Sequence, residues 1–229
     1  MITFENISIS YDGDKQVITS LHAALPNGSI HGLAGLNGSG KTTLLEAIFG
    51  LKALDKGQIL WNGKPINRQS IAYLVTEPYF YHRITGREYL SLFKNKHFDT
   101  EGWNKLFGLP LEQLIDQYST GMKKKLAILS ILKLDKPIIL LDEPFNGLDI
   151  ETGRVLRSVL LRLKTKDKII LITSHILETL TNLCDYIHYL EDGTIRFSKG
   201  KDEFESFSKE LFDRLEGRNL ALINELLDE

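Results

Sequence analysis

The sequence predicts an α/β fold in which helices cover a mostly parallel sheet. Three observations lead to this prediction. A buried strand, a glycine-rich loop and a helix follow one another between residues 28 and 49, and strands alternate with helices again between residues 137 and 198. Such alternation is typical of parallel sheets. Between these regions, apolar residues recur at helical spacing over residues 77–136, which predicts an inserted α-helical subdomain.

The first 76 residues consist largely of predicted strands separated by turns. Short apolar and β-branched runs bounded by turn residues predict strands at 1–10, 17–25, 29–34, 58–62 and 71–75. One predicted helix, at 41–49, interrupts them. We interpret the early strands as an N-terminal antiparallel β subdomain.

Helical periodicity replaces the strand pattern in the insert. The apolar positions that carry it are Tyr89, Leu90, Phe93, Trp103, Leu106, Phe107, Leu126, Leu129, Ile131 and Leu132. The last helix of the insert is predicted at 124–132. Beyond it, the expected strands are 137–141, 168–173, 186–190 and 194–198, and the expected helices are 150–163 and 176–183. In the tail, 200–229, helical spacing of apolar residues predicts a C-terminal helix from Phe204, Phe207, Leu211 and Leu215.

The loop before the first helix fits the pattern G-x-x-x-x-G-K-[ST], which binds nucleotide phosphates. Its glycines let successive backbone N–H groups and the positive end of a helix face a phosphate. Lys41 is expected to reach the β- and γ-phosphates, and the Thr42 hydroxyl to ligate Mg²⁺. The motif therefore predicts a P-loop NTPase core, with nucleotide contacts from Gly35, Leu36, Asn37, Gly38, Ser39, Gly40, Lys41, Thr42 and Thr43.

Two carboxylates follow the apolar run at 138–141, about a hundred residues after this loop. α/β sheets bind ligands at the carboxyl ends of their parallel strands. Asp142 is expected to hold Mg²⁺ through its water shell, and Glu143 to act as the general base on the attacking water. An Asp-Glu pair after a strand is usually a solvated turn, but its place beside a phosphate loop favours the catalytic interpretation.

Length and composition fit one globular domain, residues 1–229. We divide it into a nucleotide-binding core (1–76 and 137–199), the helical insert (77–136) and the tail (200–229).

Composition also limits the partners. The net charge of −2 gives no basic field that would attract nucleic acid, so nucleic acid is not expected as a partner. Cys184 is the single cysteine, which excludes an intramolecular disulfide. No apolar run approaches the ~20 residues that span a bilayer, so a membrane role is expected to require a partner.

Residues 118–123, Tyr-Ser-Thr-Gly-Met-Lys, identify a family because of where they lie. The chain resembles the ATP-binding subunits of ABC transporters, whose signature is usually Leu-Ser-Gly-Gly-Gln. Ser119 and Gly121 are retained, whereas Tyr118, Thr120 and Met122 depart from it. The order of the remaining motifs also matches the family, with 146–149 as the D-loop and His175 as the switch histidine. The resemblance extends to about residue 199, and the form of the signature is similar to that of the bacterial exporter branch.

This resemblance implies a head-to-tail dimer that holds ATP and Mg²⁺ between two ATPase subunits, as a homodimer or a heterodimer. In it, Ser119, Gly121 and Met122 of one subunit close on the γ-phosphate held by the other, and Asp149 belongs to the D-loop. His175 is implied to contact the γ-phosphate, and Tyr11 to stack on adenine. A transmembrane permease is the implied partner, which places the subunit at the cytoplasmic face of the plasma membrane.

One position departs from the family and several others leave two interpretations open. Thr76 stands where the family has a Gln that links Mg²⁺ to the permease. Its side chain offers a shorter oxygen, and we assign it to the metal site through water or with help from Glu77. Lys123 is a candidate nucleotide contact, and we expect Lys124 and Lys125 to be solvated. The aromatic run at 79–81 is either a surface for the permease or core of the insert.

Other functional classes fit parts of the pattern. Within the transporter interpretation, export of a drug, peptide or lipid is favoured. The alternative is a soluble ABC-type ATPase that acts on ribosomes or DNA. Such proteins usually carry two ATPase domains or a long heptad insertion, and the sequence has neither. A metabolic P-loop kinase would not need the motif at 119–122.

Overall fold

A computed structural model describes residues 1–11, 15–207 and 209. Its largest element is a six-stranded sheet of β3 (Ser29–Ala34), β6 (Ile71–Leu74), β7 (Ile138–Leu141), β8 (Ile169–Thr173), β9 (Tyr186–Glu191) and β10 (Thr194–Gly200). The strand order is β10-β9-β3-β8-β7-β6, and all neighbours pair in parallel except β9 and β10. The predicted α/β class with a mostly parallel sheet is confirmed.

A second, smaller sheet confirms the predicted antiparallel β subdomain. It contains β1 (Ile2–Tyr11), β2 (Lys15–Leu25), β4 (Lys56–Trp61) and β5 (Lys64–Pro65) in the order β2-β1-β4-β5. Each neighbouring pair is antiparallel. The strand β5 was missed because two residues, one of them a proline, carry no periodic signal.

Six α-helices accompany the sheets in the described part of the chain: α1 (Lys41–Phe49), α2 (Gly86–Ser91), α3 (Thr100–Phe107), α4 (Thr120–Leu134), α5 (Ile150–Lys164) and α6 (Leu177–Thr181). The first residues of four of them are fixed by polar caps: Thr85, Asp99, Ser119 and Asp149 each accept a backbone N–H with their side chains. The Ser119 cap starts α4 four residues before the predicted start, whereas α6 is shorter than predicted at both ends.

The six-stranded sheet separates two hydrophobic cores. In β7, Ile139 and Leu141 face the core shared with the helices of the insert and α5, whereas Ile138 and Leu140 face the core shared with α1 and the antiparallel sheet. Successive strand residues point to opposite faces, so a strand covered on both sides is apolar throughout. This is why β7 and β8 were recognisable as uninterrupted apolar runs.

Part of the predicted C-terminal helix lies within the described residues. Phe204 and Phe207 are buried, and the Phe207 ring packs on Phe197 of β10. Leu211 and Leu215 lie outside the described residues. No helix of the described residues is long and apolar enough to cross a bilayer.

Candidate active site

The phosphate loop runs from the end of β3 to the start of α1. Gly40 is the N-cap of α1 in a left-handed conformation, φ 103°, and no side chain caps the helix. This backbone conformation favours glycine, and a Cβ at Gly40 would also crowd Ile18, at 2.9 Å from its Cδ1. The first N–H groups of α1 therefore keep their bonding capacity for an anion, and the helix dipole favours a negative charge at this end.

Lys41 lies across the loop. Its Nζ donates hydrogen bonds to the carbonyl oxygens of Gly35 at 2.8 Å and of Leu36 at 3.1 Å. Burial lowers the pKa of Lys41, and the nearby carboxylates of Glu143 and Asp142 partly offset this effect. The cation is thus bonded to the loop and attracted by the carboxylates predicted as metal ligand, Asp142, and as general base, Glu143.

Asp142 follows β7 and contacts residues at the ends of the two neighbouring strands, β6 and β8. Its Oδ2 accepts hydrogen bonds from the hydroxyls of Thr42 and Thr76, both at 2.8 Å. Its Oδ1 accepts one from the Thr173 hydroxyl at 2.5 Å. The side chains assigned to the metal site, Thr42, Thr76 and Asp142, are therefore brought together. Hydroxyl and carboxylate oxygens are the ligands Mg²⁺ prefers, so this donor set fits the ion.

Glu143 follows directly in an unusual backbone conformation. Its φ is 47°, a left-handed value that costs a non-glycine residue about 1 kcal/mol or more. Its backbone N–H donates to the Thr173 hydroxyl at 2.9 Å, and its Oε2 lies 3.1 Å from Nδ1 of His175. The turn places the Glu143 carboxylate beside the predicted switch histidine.

Thr173 belongs to this site but was not predicted as a site residue. It lies at the end of β8, next to β7, so its hydroxyl reaches both Asp142 and Glu143. The signal that would have identified it is a hydroxyl at the carboxyl end of a neighbouring parallel strand.

A cavity of about 410 Å³ opens in front of the phosphate loop. Its lining includes many of the predicted site residues: Tyr11, Asn37, Gly38, Gly40, Lys41, Thr42, Thr43, Asp142 and Glu143. Lys15 and Val17 also line it and were not predicted. Tyr11 is half exposed, and Nζ of Lys52 lies 3.8 Å from its ring centroid. Leu36 and Ser39 face a smaller adjoining depression, which Asn37 and Gly38 also line.

The signature residues do not line this cavity. Ser119 is exposed, and its Oγ accepts a hydrogen bond from the Met122 N–H at 3.2 Å. A Cβ added at Gly121 would lie 3.4 Å from the carbonyl oxygen of Gly147, so α4 begins close to the D-loop of the same chain. Ser119, Gly121 and Met122 are therefore grouped together, apart from the nucleotide cavity of their own subunit.

Asp149 anchors the D-loop within the chain. It caps α5 by accepting the Thr152 N–H at 2.7 Å, and it pairs with Lys125 Nζ at 3.0 Å. The Thr152 N–H holds the pKa of Asp149 well below its usual range, with Lys125 and the Thr152 hydroxyl adding to the effect. These contacts join α4 to α5.

The prediction that Lys124 and Lys125 are solvated was wrong. Lys124 is 6% exposed and its Nζ donates to the carbonyl oxygen of Thr76 at 3.3 Å. The side chain of Lys125 is 20% exposed and paired with Asp149. Because α4 packs against β6 and the D-loop, its first turns are covered on the sides that carry these lysines. Lys123, the candidate nucleotide contact, is partly exposed.

The aromatic run at 79–81 divides between the two interpretations. Phe80 packs on Tyr89 in the core of the insert, with ring centroids 5.0 Å apart. Tyr79 and Tyr81 are 72% and 56% exposed and contact each other edge to face. The surface interpretation therefore remains open for the two tyrosines.

Comparison with known proteins agrees with this geometry. A family model described as ABC transporter matches residues 18–146. The ABC transporter ATP-binding protein YtrB of Bacillus subtilis is 33% identical over 89% of this chain and 73% of its own length. The lantibiotic transport ATP-binding protein SrtF of Streptococcus pyogenes is 29% identical over 93% of this chain and 96% of its own.

Solved structures give the same result. The structure of an ATP-binding subunit of an ABC transporter superposes with a TM-score of 0.85 at 27% identity, covering 94% of this chain and 99% of that one. A dimeric structure of the ATP-binding cassette MJ0796, bound to ADP and Pi, shares the fold with a TM-score of 0.78 at 21% identity over 88% and 99% of the two chains. The chain belongs to the ABC transporter family, as an ATP-binding subunit that hydrolyses ATP.

Proposed function

We propose that the cavity before the phosphate loop holds ATP together with Mg²⁺. The observation that carries this proposal is the convergence of the Thr42, Thr76 and Asp142 oxygens beside the cavity. Lys41 and the N-terminus of α1 bind the phosphates, and the exposed face of Tyr11 supports adenine. When bound, Mg²⁺ supplies charge neutralisation on the β- and γ-phosphates.

Glu143 is the general base in this proposal. Its carboxylate accepts a proton from the water that attacks the γ-phosphorus, and the left-handed turn holds it beside the cavity. His175, 3.1 Å from Glu143 Oε2, positions the Glu143 carboxylate and contacts the γ-phosphate. Thr173 fixes the backbone of Glu143 relative to Asp142, so that the base and the metal-holding carboxylate keep their spacing.

The functional unit is a dimer of two ATPase subunits. Ser119, Gly121 and Met122 lie away from the subunit's own nucleotide cavity, which supports a role at the nucleotide of a second subunit. Capped by Ser119, α4 then points its positive end at that γ-phosphate. Subunits of this kind dimerise, as MJ0796 does. We propose a homodimer, with a heterodimer as the alternative.

A transmembrane permease is the proposed partner. The exposed pair Tyr79 and Tyr81 follows Thr76 within a few residues, so a permease segment that docks on them is linked to the metal site. This partner would hold the subunit at the cytoplasmic face of the plasma membrane. SrtF is named for lantibiotic transport, and we propose export of a drug, peptide or lipid. The division into core, insert and tail made from the sequence is retained in this proposal.

The test uses Glu143→Gln, which is expected to bind ATP but hydrolyse it poorly, and so to accumulate as the ATP-bound dimer. Light scattering with ATP and Mg²⁺ should give twice the mass found without ATP. Glu178→Gln makes the same chemical change on the surface and should give the same mass as the wild type. If Glu143→Gln stays monomeric with ATP bound, the dimer proposal fails.

Affinity capture of the same variant with ATP from membranes of its native cell tests the partner. Recovery of an integral membrane protein without an ATP site of its own supports the permease proposal. Recovery of ribosomal proteins or nucleic acid, without a membrane protein, would replace it with the soluble alternative.

A further inference from the structure

Lys124 is a buried lysine whose ammonium contacts Thr76, a residue assigned to the metal site. It lies five residues after Ser119, in the second turn of α4, and is 6% exposed. Lysines are almost never buried to this degree without a partner. Its Nζ donates to the carbonyl oxygen of Thr76 at 3.3 Å, whereas an ammonium has three N–H donors. In the described part of the chain, no second acceptor of Lys124 lies within bonding distance.

This contact connects the signature helix to the metal site through one residue. The carbonyl oxygen of Thr76 accepts from Lys124, and the hydroxyl of Thr76 donates to Asp142 Oδ2. The charges that act on Lys124 are Asp142 and Glu143, which oppose the lowering of the Lys124 pKa by burial. Lys124 is therefore within electrostatic range of the carboxylate that would hold the metal.

A purely structural role does not explain the charge. A single hydrogen bond to a backbone carbonyl can be made by a neutral donor, without the cost of removing an ammonium from water. The charges of Asp142 and Glu143 offset part of this cost, although burial still has the larger effect on the Lys124 pKa. The arrangement gives the Asp142–Glu143 pair a second internal counter-charge besides Lys41, and this one comes from the helical insert.

We propose that Lys124 is a positioning residue whose ammonium competes electrostatically with Mg²⁺ for the Asp142–Glu143 carboxylates, so that Mg²⁺ affinity depends on how α4 is seated. This inference rests on the proposed metal site. Two like charges near the same carboxylates disfavour each other. Because such coupling is reciprocal, Mg²⁺ binding weakens the hold of Lys124 on Thr76 and loosens α4, which carries Ser119.

The experiment measures binding rather than turnover. The affinity of the full chain for a non-hydrolysable ATP analogue is determined by calorimetry over a range of free Mg²⁺, and the Mg²⁺ concentration that gives half of the affinity gain is compared between variants. Lys124→Gln and Lys124→Met should lower this midpoint about tenfold, which corresponds to ~1.4 kcal/mol. Lys124→Arg keeps the charge and should stay within about twofold of wild type.

Lys133→Gln is the matched control, because it removes the same charge from the far end of the same helix. Its midpoint should not change. An unchanged midpoint in Lys124→Gln and Lys124→Met would overturn the proposal, as would an equal shift in Lys124→Arg, which would assign the effect to geometry instead of charge. Thermal melts identify a variant that does not fold. In that case the two other variants at Lys124 decide the outcome.

Failure of the metal site itself has a different signature. If the wild-type affinity for the analogue is the same with and without Mg²⁺, the proposed metal site is wrong, and the inference about Lys124 falls with it. If wild type depends on Mg²⁺ and the variants depend on it identically, only the inference about Lys124 is wrong.

Discussion

Lowering the pH from 7.5 to 5.5 should destabilise the folded protein through two buried histidines. His31 of β3 and His188 of β9 are 0% and 4% exposed, and His31 Nδ1 lies 3.1 Å from His188 Nε2. Their outer nitrogens contact the hydroxyls of Ser29 and Ser198. Burial lowers the pKa of His31 to about 4 and that of His188 to about 3, with His31 adding to the effect on His188. Both imidazoles are thus neutral in the folded state.

The size of the effect follows from the unfolded chain, where each imidazole titrates near pH ~6.5. A pKa lowered by folding contributes stability that is present above the unfolded value and is lost as the pH falls towards the folded value. At pH 5.5 the unfolded imidazoles are about ten parts protonated to one part neutral, while the folded ones remain neutral. Each histidine then costs about 1.4 kcal/mol, so the pair costs about 3 kcal/mol.

Urea denaturation followed by circular dichroism at pH 7.5, 6.5 and 5.5 measures this loss. For a chain of this size, about 3 kcal/mol also corresponds to a fall of roughly 6–12 °C in the melting temperature. The double variant His31→Asn, His188→Gln should lose most of the pH dependence, whereas His97→Asn, on the surface, should retain it. Imidazole resonances of the wild type give the two pKa values independently.

A loss below about 1 kcal/mol in the wild type would refute the reasoning, because it would mean that the folded histidines bind protons at pH 5.5. Retention of the full slope by the double variant would refute it equally. The dependence of the unfolding free energy on pH would then come from other titratable groups.

The site supports further predictions. Thr76→Gln should retain or raise ATPase activity by restoring a longer oxygen ligand, and Thr76→Ala should weaken the Mg²⁺ dependence; an unchanged Thr76→Ala would remove Thr76 from the metal site. Glu143→Gln should lower turnover by about 10²–10⁴ while binding ATP normally, and unaltered turnover would exclude Glu143 as the base. Ser119→Arg should abolish hydrolysis but leave ATP binding intact in the monomer; full hydrolysis in this variant would favour the kinase class. Tyr11→Ala should weaken ATP binding by about 1 kcal/mol or more, measured by calorimetry, with Tyr11→Trp as the aromatic control.

Local sequence signals predicted the elements that local forces determine. The bounds of α1 agree with the prediction because glycines precede and follow it, and Gly50 ends it in a left-handed conformation. β7 was predicted to within one residue because a strand buried on both faces is apolar throughout. The roles of Asp142 and the phosphate loop were predicted from the loop pattern and from the carboxylates that follow an apolar run about a hundred residues later.

The features that were missed depend on contacts between distant parts of the chain. Lys124 is buried because α4 packs against β6 and Thr76, which lies 48 residues away in sequence. A run of three lysines, by contrast, is locally typical of a solvated surface. Thr173 became a site residue only because β8 pairs with β7. The Asp149–Lys125 pair likewise requires α4 and α5 to meet.

The hydroxyl of Thr173 couples the positions of Asp142 and Glu143. It donates to Asp142 and accepts from the backbone N–H of Glu143, so a shift of either residue strains a bond that the other depends on. The free-energy effects of substitutions at 142, 143 and 173 should therefore not be additive, because each substitution disturbs the same hydrogen-bond network. Valine at 173 has nearly the same shape but can make neither bond. The two bonds of this hydroxyl thus limit which residues the end of β8 can accept.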